Sequence, residues 1–151
     1  MIAELLKEGH FLTGVECDSW EELVEITGKP LVAAGLIKPE YLSAVKAGVE
    51  KYGAYMVLVD DVAFFHARPE DGANALCLSL AMLAESVYIL EKRIKAAFMF
   101  AAADSGSHVG LLKELAQLLR DDEFLRLLCE SGDGRAVIEK LKGAEKEDEV
   151  S

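Results

Sequence analysis

The feature that most constrains this chain is how its hydrophobic residues are grouped. Between residues 55 and 102 they arrive in four compact stretches, 55–59, 62–65, 75–83 and 95–102, rich in Val, Phe, Tyr and Leu. Polar segments separate them: Asp60-Asp61, then Arg68 to Gly72, then Glu91-Lys92. Short apolar runs bounded by turn residues read as β-strands. On either side the period becomes helical. A short helix is expected over 2–7 and a strand over 11–15. Asp18 and Ser19 then offer N-caps to a helix with Glu21 and Glu22 in its first turn. Its apolar positions Trp20, Leu23, Val24, Thr27, Leu31 and Ala34 keep helical spacing, while Gly28 and Pro30 are expected to kink or split it before Gly35 caps it. Pro39 suits the first position of a second helix, with Tyr41, Leu42, Val45, Val49 and Tyr52 in one stripe and Gly53 at its end. Further helices are expected over 107–119, 122–130 and 133–141. Helices before, between and after strands predict a single-domain α/β sandwich over 1–142, with 143–151 as a frayed charged tail.

A chain of 151 residues with 52% hydrophobic residues can bury one core unaided. Its 27 acidic against 16 basic side chains give a formal charge of -11, which repels a phosphate backbone and disfavours a nucleic-acid partner. The longest weakly charged stretches, 76–84 and 94–103, are too short to span a bilayer. Glu4, Lys7 and Glu8 interrupt the apolar stretch a signal peptide would need, so a cytoplasmic location is expected. Cys17, Cys77 and Cys129 form no CxxC pair and are expected to stay reduced.

The common nucleotide and metal signatures are absent: Gly28-Lys29 is followed by proline, Gly132-Asp133-Gly134 lacks a third glycine, and no HExxH occurs, so no cofactor or metal is expected. Two histidines stand out. His66 closes the apolar run Val62-Ala63-Phe64-Phe65 and opens a polar loop, with Arg68 two residues on. His108 follows the turn Asp104-Ser105-Gly106-Ser107 at the start of a leucine-rich helix, whose free N–H groups favour a nearby anion. Both sit at strand exits and could converge on one site. Each, on its own, is more readily read as a structural residue.

The stretch Ala63-Phe64-Phe65-His66-Ala67-Arg68-Pro69-Glu70-Asp71-Gly72 resembles the active-site segment of enzyme IIA components of the bacterial sugar phosphotransferase system, in the mannitol/fructose superfamily and its ascorbate-type branch. Trp20-Glu21-Glu22-Leu23, the approach Tyr52-Gly53-Ala54-Tyr55, and the segment 104–119 extend the resemblance over nearly the whole chain except its tail. It implies a mixed β-sheet flanked by helices and a phosphoryl relay. His66 would take phosphate from the phosphocarrier protein HPr and pass it to a cysteine of a sugar-specific enzyme IIB, with the membrane enzyme IIC further on. His108 would be the second active-site histidine, and Arg68 a cation for the phosphoryl oxygens. Two positions depart from the family pattern: Phe64-Phe65 stand where smaller residues usually precede the histidine, and Glu50-Lys51 stand where mannitol-type members carry an arginine. An alternative within the same family is a regulatory module whose phosphorylation is not passed on to a sugar.

Overall fold

The computed structural model describes residues 2–6 and 9–150, of which 144–150 as backbone; Lys7, at the expected end of the first helix, lies outside the described residues. The described strands are β1 (Phe11–Val15), β2 (Asp61–Phe65), β3 (Cys77–Ile89) and β4 (Lys92–Ala101). They form one sheet in the order β1-β3-β4-β2. The antiparallel hairpin β3-β4 is its centre, β1 pairs parallel with β3, and β2 pairs parallel with β4. The sheet is therefore mixed, as expected.

Side chains alternate across a sheet, so each central strand feeds two cores. Ala97, Met99 and Ala101 of β4 pack beneath α2 (Trp20–Ala33) and α3 (Pro39–Tyr52). Phe98 and Phe100 face the other way, into a core built with α1 (Ile2–Leu5), α4 (Ser105–Leu118), α5 (Asp122–Arg126) and α6 (Gly134–Val150). Between α5 and α6 the chain makes a π-helical turn, Leu127–Ser131.

Three sequence expectations are corrected. The segment 55–59 is not a strand: Ala54–Met56 is a 3-10 turn followed by an isolated bridge between Val59 and Val62. Of its large apolar residues only Met56 is buried, while Tyr55 and Leu58 are exposed, so the run never satisfies a two-sided burial pattern. β3 continues past residue 83 to Ile89 and β4 starts at Lys92, because the register shifts between Met82 and Val87 and carries the exposed Ala84 and Glu85 through an irregularity instead of a turn. Finally, α2 is not split at Gly28 and Pro30. Leu23, Val24 and Leu31 anchor both halves to one core, and Ser79 of β3 donates its hydroxyl to the Thr27 carbonyl at 2.6 Å. Gly28 is there for closeness: a Cβ would meet Leu42 of α3 at 2.2 Å. The helix opens at Ser19, whose hydroxyl accepts from Glu22 N–H at 3.2 Å.

Candidate active site at the exit of strand β2

The parallel register of β2 and β4 sets Phe64 opposite Phe98, and their rings stack 5.2 Å apart at 12°. One pleat further, the same alternation sets His66 flat on Phe100, 4.8 Å between centroids at 14°. The His66 ring is thus laid down by strand geometry. Phe64 and Phe65 are themselves fully buried on opposite faces of the sheet, so neither lines the site.

His66 Nδ1 lies 2.8 Å from the Phe64 carbonyl. A carbonyl only accepts, so Nδ1 carries the proton and Nε2 keeps its lone pair. Burial of this half-buried ring lowers its pKa; the Phe64 hydrogen bond works in the opposite sense and the neighbouring His108 adds to the lowering. The neutral, nucleophilic form is favoured.

His108 reaches the same place from α4. Its ring centroid is 5.8 Å from that of His66 and 5.5 Å from that of Phe100. His108 Nδ1 is buried and has no hydrogen-bond partner among the described residues. The N-terminus of α4 is less open than its sequence suggests. Asp104 Oδ1 accepts from Ser107 N–H at 2.7 Å and Oδ2 from the Ser107 hydroxyl at 3.0 Å. Those bonds hold the Asp104 carboxyl below the usual range, and they take up one of the donors that the sequence offered to a phosphate.

A cleft of about 720 Å³ joins these parts. His66, His108 and Arg68 all line it, and α3 contributes a wall of Ala44, Ala47, Gly48 and Lys51. Arg68 is exposed at the rim, with Nε 3.4 Å from Asp71 Oδ2 and 3.5 Å from Glu70 Oε1. Lys51 has no acidic partner among the described residues, and its ammonium lies 5.1 Å from the centre of the Tyr52 ring. Tyr41, read from sequence only as part of an apolar stripe, turns out to bear on the site. Its buried hydroxyl donates to the Phe100 carbonyl at 2.7 Å and accepts from Ala67 N–H at 2.9 Å. The one signal was its residue type, since a buried tyrosine must find a partner for its O–H. Cys77 is buried with its thiol pushed up to about 12 by desolvation, which suits packing and not phosphoryl chemistry. Among the described residues no group of three His, Cys, Asp or Glu side chains could hold a metal ion.

Residues 4–144 match the family described as phosphoenolpyruvate-dependent sugar phosphotransferase system, EIIA 2. The chain belongs to this family. It is an enzyme IIA component of that system, with a phosphocarrier role. The mannitol-specific cryptic phosphotransferase enzyme IIA component of Escherichia coli is 34% identical over 111 residues, 72% of this chain and 76% of that one. A solution structure of an Escherichia coli enzyme IIA of the same description superposes with a TM-score of 0.78 at 30% identity, over 85% of this chain and 89% of the other. The ascorbate-specific enzyme IIA component of Escherichia coli is 32% identical over 113 residues, 72% of this chain and 73% of its own. The complex of mannitol enzyme IIA with phosphorylated enzyme IIB from Escherichia coli shares the fold, with a TM-score of 0.76 at 21% identity over 91% of this chain and 99% of that one. No helix among the described residues of this enzyme IIA is long and apolar enough to cross a membrane.

Proposed function

We propose that His66 is the phosphoryl carrier of this enzyme IIA, accepting the group from phosphorylated HPr in the cytoplasm and yielding it to a cysteine of an enzyme IIB. The observation that supports this most directly is the 2.8 Å contact of Nδ1 with the Phe64 carbonyl, which leaves Nε2 unshared on a ring that lines the cleft. In the first step Nε2 attacks phosphorus in line; the N–P bond of the donor's phosphohistidine breaks, and its electron pair stays on the donor imidazole. In the second step a cysteine thiolate of enzyme IIB attacks the same phosphorus, and the Nε2 lone pair returns to His66. The complex of mannitol enzyme IIA with phosphorylated enzyme IIB is the precedent for that second partner.

Negative charge spread over three phosphoryl oxygens calls for nearby cations and donors. Lys51 enters without an ion pair to break among the described residues. Arg68 has to exchange Glu70 and Asp71 for phosphate, and solvent-exposed pairs of that kind are weak, so the exchange is open to it. His108, whose Nδ1 has no partner among the described residues, has hydrogen-bonding capacity to spare. Neither the donor nor the acceptor step draws on a cysteine of this chain.

The test is reconstitution. Wild-type protein incubated with phosphoenolpyruvate, enzyme I and HPr is expected to gain an acid-labile, hydroxylamine-sensitive label on His66, and addition of a cognate enzyme IIB is expected to remove it. A label that forms on another residue refutes the assignment; a His66 label that no enzyme IIB discharges favours a regulatory role instead.

A further inference from the structure

β2 and β4 pair in parallel as far as Phe65 and Met99. Extending that register by two residues makes Ala67 N–H to the Phe100 carbonyl the next rung of the ladder. That rung is not direct. The Tyr41 hydroxyl is inserted into it, accepting from Ala67 N–H at 2.9 Å and donating to the Phe100 carbonyl at 2.7 Å; the Ala67 carbonyl lies 3.2 Å from the same oxygen. Tyr41 belongs to α3, the helix that also supplies the Ala44, Ala47, Gly48 and Lys51 wall of the cleft.

We infer that Tyr41 is a positioning residue for His66: its hydroxyl is a spacer that parts β2 from β4 at the rung beside the histidine and fixes both strand ends to α3. The inference rests on the reading of His66 as the phosphoryl carrier. The residue on one side of this rung follows His66 directly, and the residue on the other carries the ring on which the imidazole lies. Without the hydroxyl the two strands are free to bond directly, which draws residue 67 toward β4 and shifts the imidazole between them. Burial raises the phenol pKa, so the hydroxyl stays protonated and keeps its donor at any pH the protein meets.

A core tyrosine that merely stabilises the fold would leave the properties of His66 unchanged once the variant is folded, and this separates the two roles. In Tyr41→Phe, kcat for transfer from phosphorylated HPr is expected to fall roughly 10- to 100-fold, the range for misplacing a reacting group by an ångström or less, with KM for HPr little changed. The His66 ring nitrogens, followed by 15N NMR, are expected to titrate at a different pH and to lose their strong preference for a protonated Nδ1. A folded Tyr41→Phe with wild-type kcat and wild-type imidazole titration overturns the inference. If the variant does not fold, hydrogen exchange of wild-type protein decides: the Ala67 amide is expected to be protected as strongly as the amides within β4, and exchange at the rate of an open loop overturns it. The nitrogen spectra and the exchange need no phosphate donor, so failure of wild-type protein to be labelled would count against the carrier role of His66 and leave the Tyr41 test standing.

Discussion

The two histidines of the cleft make an instructive pair. His66 is borne on a strand exit, lies flat on Phe100 and has Nδ1 committed to a backbone carbonyl. His108 is borne on a helix, meets Phe100 at 53°, and has a buried Nδ1 with no partner among the described residues. The first ring therefore has its tautomer written by the backbone, and the second does not. A nucleophile benefits from a fixed lone pair. A group that must meet a transferring phosphoryl from two directions, with two partner proteins in turn, benefits from being uncommitted.

The largest effect expected of this contrast is at His66. His66→Ala should abolish acid-labile labelling by phosphorylated HPr while keeping the thermal melt cooperative; a full label on that variant breaks the comparison outright. His108→Ala should still accept phosphate, but with transfer slowed roughly 10- to 150-fold, equivalent to losing one hydrogen bond to a charged group, about 1.5–3 kcal/mol. Equal and complete losses at both positions would show both histidines to be indispensable and not an unequal pair. Among the cations, Lys51→Met should slow transfer about 10-fold, the low end of the same range. Arg68→Ala should slow it less, since that side chain first leaves its ion pairs with Glu70 and Asp71; rapid-quench rates of the two variants rank them directly.

The pH dependence sharpens the contrast further. Because burial lowers the His66 pKa, the midpoint of its protonation lies below the ordinary imidazole value of about 6.5. The rate of labelling should therefore fall to half its plateau only below that pH, and a midpoint at or above it contradicts the assigned environment. Stability follows the same sign: the unfolded chain takes up this proton first, so the contribution is present above the unfolded pKa and is lost as the pH falls through the folded one. The smallest effect belongs to the helix under His108. Asp104→Ala removes the cap of α4 and should lower the midpoint of denaturant unfolding, with His66 labelling retained.

Much of this arrangement was legible in the sequence, for a physical reason in each case. The run 62–65 ending in His66 marked a buried strand with a chemical residue at its exit, and the Asp104 to Ser107 turn marked the helix start that delivers His108. Arg68 lines the same cleft, and the tight turn Pro69–Asp71 brings it to its ion pairs with Asp71 and Glu70. The segment 55–59 carries the apolar content of a strand without its burial, since Tyr55 and Leu58 stay exposed. Tyr41 was invisible as a site residue for a different reason, and Lys51 was marked only as standing where mannitol-type members carry an arginine. Both sit on α3, and only the long-range packing of that helix against the ends of β2 and β4 turns a stripe residue and a surface lysine toward the cleft.

The connectivity of the sheet has a bearing on how the protein is assembled. β3 and β4 are neighbours in the chain and close over a two-residue turn at Leu90-Glu91, whereas β2 joins β4 only across the intervening hairpin, and its pairing depends on contacts far apart in sequence. Local pairings form sooner than distant ones. Phe100 thus acquires its setting early, and the imidazole that will rest on it arrives later, with an edge strand. A nascent or heat-loosened chain would hold most of its secondary structure before it becomes competent to be charged with phosphate, so competence to accept the group reports on completion of folding more stringently than circular dichroism does.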